Sequence, residues 1–112
     1  MSMDEQYIDQ LKNEIEASRA TAKLGEHLER LLKNADFIEV IQKDFCTNNA
    51  LRCVALLKAD SASEQVRKAA IEQLEGISHF QEYLRALMLL STGARNTITE
   101  ANNTLDELRG EA

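Results

Sequence analysis

The sequence predicts an all-α protein: an antiparallel hairpin of two long helices, coiled-coil-like, clasped by two short helices, the last helix being very long. Three observations lead there. Ile77, Phe80, Leu84, Leu87, Ser91, Ala94, Ile98, Ala101, Leu105 and Leu108 recur at alternating spacings of three and four. A period of 3.5 residues makes a seam for a partner helix. Proline is absent and glycine occurs four times in 112 residues, while Ala, Leu, Glu, Gln, Lys and Arg, which lose least on entering a helix, dominate. The third observation is punctuation: Asn34, Thr47-Asn48-Asn49 and Ser61-Ala62-Ser63-Glu64 are the places where capping residues interrupt helical patterns.

The first helix is expected over about 4–33, with apolar positions Ile8, Leu11, Ile15, Ala22, Leu24, Leu28, Leu31 and Leu32. Its stripe narrows to Ser18, Ala22 and Gly25. Glycine in a helix interior costs about 1 kcal/mol against alanine, so close approach of another helix is the expected compensation, with plain interruption as the alternative. Asn34 can end this helix and cap the next, over 35–46, whose apolar face is Phe37, Val40, Ile41 and Phe45. Thr47, Asn48 and Asn49 should break the chain before a third helix over 49–58, carrying Leu51, Val54, Ala55, Leu56 and Leu57.

Ser61-Ala62-Ser63-Glu64 reads as a capping box, with Ser61 as N-cap and Glu64 reaching back to it. The last helix should run over 62–108, with Gly76 and Thr92-Gly93 as the candidate places for a bend or a stop. Folded antiparallel, Ile8 would meet Leu108, Leu11 would meet Leu105 and Ile15 would meet Ala101. Ala22 and Gly25 would face Ala94 and Ser91, and Leu28 and Leu32 would face Leu87 and Leu84. Bulk meets bulk at the ends and small meets small between them, in one register. At this length one domain is expected, over 1–112.

The net charge is −6, and acids outnumber bases in each third of the chain. No basic stripe is present to neutralise phosphates, which argues against direct nucleic-acid binding. The acidic N-terminal segment does not read as a signal peptide, and no apolar run reaches the roughly 20 residues of a membrane-spanning helix. A cytoplasmic protein with reduced cysteines is expected.

Candidate chemistry is sparse. Cys46, Cys53, His27 and His79 lack the paired spacing of a zinc site, and the cysteines fall on apolar sides of their helices, where cysteine acts as a small hydrophobe. Neither histidine has a nucleophile and orienting acid fixed beside it by any recognisable motif, and no phosphate loop, G-x-S-x-G or H-E-x-x-H occurs. No enzyme activity, metal or cofactor is expected. The stretch Leu84 to Leu90 is apolar almost all round, more than one partner helix can cover. The expected protein-interface residues are Leu84, Leu87, Met88, Leu89 and Leu90, with Ile98, Leu105 and Leu108 of the seam.

Residues 28–41, Leu-Glu-Arg-Leu-Leu-Lys-Asn-Ala-Asp-Phe-Ile-Glu-Val-Ile, are followed by Ala-Leu-Arg-Cys-Val-Ala-Leu-Leu-Lys-Ala-Asp at 50–60 and Ile-Glu-Gln-Leu-Glu-Gly-Ile-Ser-His-Phe-Gln-Glu-Tyr-Leu-Arg at 71–85. Together, over about 24–90, this resembles small acidic helical proteins that tailed bacteriophages encode near their portal and capsid genes. The resemblance implies a virion, assembly or accessory role in the host cytoplasm or the virion, and no catalytic residues. The expected function is a non-enzymatic interaction protein packing helical surfaces against itself, as a homo-oligomer, or against a larger phage or host protein. The alternative is an acidic inhibitor that sequesters a host protein, with a DNA mimic as one form of it, through Glu72, Glu75 and Glu82.

Overall fold

A computed structural model describes residues 3–110, which are helical apart from Asn34 and 59–63, with no strand among them. Helix α1 spans Met3–Lys33. A middle helical stretch follows, made of α2 (Ala35–Phe37), a π-helical segment (Ile38–Asn48) and α3 (Asn49–Lys58). The long helix α4 spans Glu64–Gly110 without interruption, through Gly76 and Gly93. Inter-residue contacts divide the chain into two compact units, one from the residues up to Leu28 and from Ala86 onward, the other Glu29–Arg85.

In the first unit α1 and α4 run antiparallel. Leu11, Ile15, Ala101 and Leu105 form one buried cluster, with Ile8, Ile98 and Leu108 packed on it. Further along the pair, Gly25 lies so close to Ser91 that a Cβ at Gly25 would overlap both Cβ and Oγ of that serine. The bulky pairing toward the chain ends and the Gly25–Ser91 approach follow the register expected from the two stripes. Close packing therefore accounts for a glycine within the helix. Ser91 is only 1% exposed, and its hydroxyl donates to the Met88 carbonyl of its own helix at 3.0 Å. Every member of the stripe from Ile77 to Leu108 is buried or half-buried. Leu24 and Leu31 are exposed, because they fall between the positions that the three-four spacing points inward.

In the second unit the middle helical stretch packs antiparallel on α4. Phe45 meets Phe80 edge-on with ring centroids 6.0 Å apart, and the buried Cys53 thiol donates to Gln73 Oε1 at 3.5 Å. Ala70 and Ile77 are buried on the α4 side. Asn34 acts as expected: its backbone is extended, and its side-chain oxygen accepts from the Phe37 N–H at 3.0 Å.

Two boundaries differ from expectation. The break at Thr47-Asn48-Asn49 is not formed. Asn48 and Asn49 both hold right-handed helical dihedrals, and the Asn48 side chain makes no cap. The change of winding occurs upstream instead, in the π-helical segment. Half-buried and buried positions along the stretch are Phe37 and Ile38, Ile41 and Gln42, then Cys46, Asn49 and Ala50, Cys53 and Leu57. From Ile41 and Gln42 the next inner position, Cys46, lies five and four residues on, a step that the π winding accommodates. Val40, expected on the inner face, is consequently 61% exposed.

The second correction concerns the start of α4. The N-cap is Ser63, not Ser61: its Oγ accepts from the Val66 N–H at 3.2 Å, and its carbonyl accepts from the Arg67 N–H. Glu64 then stands in the first turn, where a carboxylate complements the helix dipole, rather than at the third position of a capping box. Residues before it are held by a turn, Ala62 N–H to the Ala59 carbonyl, and by the Arg67 guanidinium donating to that same carbonyl at 3.1 Å.

Candidate interaction surface

The interface expected from sequence separates into three groups. Ile98, Leu105 and Leu108 belong to the packed cluster between α1 and α4, where the chain's own first helix covers them. The reason is geometric: they sit on the seam that Leu11 and Ile15 fill. Leu84 and Leu87, also on the stripe, are half-buried. Met88, Leu89 and Leu90 remain outside, 49%, 69% and 64% exposed.

Helical arithmetic places them there. The stripe uses Leu87, then Ser91, so the three residues between them occupy the remaining circumference of the turn. From Ala86 to Ala94 no residue is charged, in a chain that is 29% charged, and Arg85 and Arg95 bound the stretch. Gly93 lies within it, with nothing within 4 Å of where a Cβ would stand. Consecutive exposed large apolar side chains without interleaved charge are uncommon on a monomer's surface, whereas depletion of charge is characteristic of interface cores. The nearby Ser91 hydroxyl is already satisfied within its own helix, so the strip offers apolar area and backbone shape rather than a polar anchor.

The flanks of the same helix pair are polar and differ in sign. An open groove beside Leu11 and Ala101 is edged by Glu14 and Glu100. The opposite groove, beside Ile15 and Leu105, is edged by Lys12, Arg19 and Arg109 together with Glu16. Ion pairs such as Glu16–Arg19 at 3.4 Å and Glu39–Lys43 at 2.7 Å join well-exposed side chains and contribute little.

In the second unit the acids expected to serve a charge mimic are not segregated. Glu64, Glu72 and Glu75 share a helix surface with Arg67 and Lys68, and Glu82 lies 3.9 Å from Arg85. Cys53 is 2% exposed and Cys46 half-buried; both are free thiols. Among the described residues no three His, Cys, Asp or Glu side chains gather as a metal-holding group. No buried side-chain nitrogen or oxygen lacks a hydrogen-bond partner there, and no helix is long and apolar enough to cross a membrane. No family model, curated protein or solved structure matches the chain.

Proposed function

We propose that the protein is a non-enzymatic interaction component that uses the exposed strip Met88–Leu90 of α4 to pack against another protein, in the first instance a second copy of itself. The observation that carries this reading is three consecutive large apolar side chains, each about half exposed or more, in an uncharged stretch of an otherwise charge-rich chain. Solvating such a strip is unfavourable by about 25 cal/mol per Å² of apolar surface, and a helix from a partner would remove much of it from water. The resemblance to small acidic phage proteins supports a virion, assembly or accessory role, in the host cytoplasm or the virion, with a larger phage structural protein as the other partner of the same surface.

The acidic-inhibitor reading has less support. A DNA mimic needs carboxylates arrayed without compensating cations, and Arg67 and Lys68 stand among Glu64, Glu72 and Glu75.

Light scattering behind a sizing column, over a range of concentrations, tests the self-association. The expected mass is a multiple of the 12.6 kDa chain, reduced to that of a monomer by Leu89→Lys or Leu90→Glu. A monomer at every concentration would refute the homo-oligomer.

A further inference from the structure

Consecutive residues of an α-helix stand about 100° apart around its axis, so Met88 and Leu90 point about 160° away from each other. One docked helix covers Leu89 and one of these neighbours, not both. The two outer residues of the strip therefore belong to different flanks of the α1–α4 pair.

The seam repeats every seven residues, and positions separated by whole heptads stay on one side of it. Leu90, Thr97 and Thr104 make one such row, and both threonines line the groove edged by Glu14 and Glu100. Leu24 is exposed on the same flank, three residues after Thr21 in the α1 row of Tyr7, Glu14 and Thr21. Met88, Asn102 and Arg109 make the other row, and the last two line the groove edged by Lys12 and Arg19. Each flank thus joins an exposed apolar side chain of α4 to a charged groove further along. The groove on the Leu90 side holds two carboxylates and no cation. The groove on the Met88 side holds three cations and one carboxylate, Glu16, which lies 3.4 Å from Arg19. Their net charges are equal and opposite.

A two-fold contact sets the same surface of both copies face to face. Through one flank it would bring Glu14 and Glu100 against their own copies, and through the other Lys12, Arg19 and Arg109 against theirs. Like charges juxtaposed across an interface oppose it. Acidic flank on basic flank has neither fault, and it covers Leu90 and Met88 in a single contact.

We propose that copies of this chain associate through a heterologous contact, the Leu90, Glu14 and Glu100 flank of one seated on the Met88, Lys12, Arg19 and Arg109 flank of the next. This rests on the self-association proposed above and adds which surfaces meet. Every added copy offers a further unused flank, so the contact repeats until the rotation between neighbours closes a ring, or it runs on as a filament.

Light scattering and sedimentation velocity on the whole protein test the arrangement. The parent should exceed the mass of a dimer as concentration rises. It should fall back toward the 12.6 kDa chain in about 1 M salt, where the Debye length is about 3 Å. Glu14→Lys with Glu100→Lys should be monomeric alone, and so should Lys12→Glu with Arg19→Glu. An equimolar mixture of the two keeps one natural contact, the basic flank of the first on the acidic flank of the second, and should return assemblies containing both. A closed dimer at every concentration, retained by both variants, would overturn the heterologous contact and leave self-association standing. A monomer at every concentration would overturn both. Variants that dissociate yet fail to reassociate on mixing, or a parent mass unchanged by salt, would also overturn the contact. Should either variant fail to fold, as circular dichroism reports, the salt dependence of the parent decides.

Discussion

Replacing Gly25 with alanine reverses the usual sign of a glycine-to-alanine change within a helix. In an isolated helix the substitution gains about 1 kcal/mol from backbone entropy. At Gly25 the new methyl would overlap Cβ and Oγ of Ser91. Cβ is fixed to the backbone, so the clash is relieved only by moving one helix away from the other. Overpacking of this kind typically costs 1–3 kcal/mol. The upper part of that range applies, because two atoms are overlapped and Ser91, at 1% exposure, has nowhere to turn. Subtracting the helix gain leaves a net loss of about 1–2 kcal/mol. In a domain of about 100 residues that lowers the thermal midpoint by roughly 4–15 °C. Gly93→Ala meets nothing within 4 Å and should instead gain up to about 1 kcal/mol. Urea unfolding followed by circular dichroism measures both. Gly25→Ala combined with Ser91→Gly makes room again, so the double variant should recover about 1 kcal/mol or more beyond additivity. A Gly25→Ala variant as stable as the parent, or a double variant showing no coupling, would refute the close approach of the two helices.

Truncation in the α1–α4 cluster, Leu11→Ala or Leu105→Ala, should cost about 2–5 kcal/mol in the same assay, whereas Leu89→Ala should stay within about 0.5 kcal/mol for the monomer. Ser63→Ala should destabilise by about 1 kcal/mol through loss of the N-cap, and Ser61→Ala should be near neutral; the opposite ranking would restore the capping box at Ser61. Asn34→Ala should lose a similar amount, because its side chain holds the Phe37 N–H. Cys46 should react with a disulfide reagent in the folded protein well before Cys53, which is 2% exposed; mass spectrometry of partly labelled protein reports the order.

The long-range architecture was legible because it rests on spacing. The alternation of three and four from Ile77 to Leu108 marks residues that are all buried or half-buried, and matching side-chain sizes alone set Gly25 opposite Ser91. Local boundaries were less legible. Thr47, Asn48 and Asn49 have poor intrinsic helix propensity, yet packing of Cys53 and Leu57 downstream carries the helix through them. The π winding left no spacing signal, because Ile38, Gln42 and Cys46 are spaced four apart and Phe45 offered an α-compatible position beside Cys46. At Ser61-Ala62-Ser63-Glu64 either serine can cap, and the choice falls to the Ala59–Ala62 turn and the Arg67 guanidinium, which no short motif encodes. The candidate surface was readable as a surplus of leucine at Leu84–Leu90. Which of those residues would stay exposed followed only from where the partner helix lies.

The Ser91 hydroxyl, bonded within its own helix, has one more consequence. That hydroxyl forms no tie across to Gly25, so relief aligns the helices at this point, a notch at Gly25 receiving a small boss at Ser91. Sliding one helix by a heptad would bring Ile98 against that notch, and a β-branched side chain does not enter it. The glycine thus works as an indexing mark: it adds little attraction, but it discriminates against the heptad-shifted alignments, which would bring Ile77, Leu84, Ile98 or Leu105 to the notch.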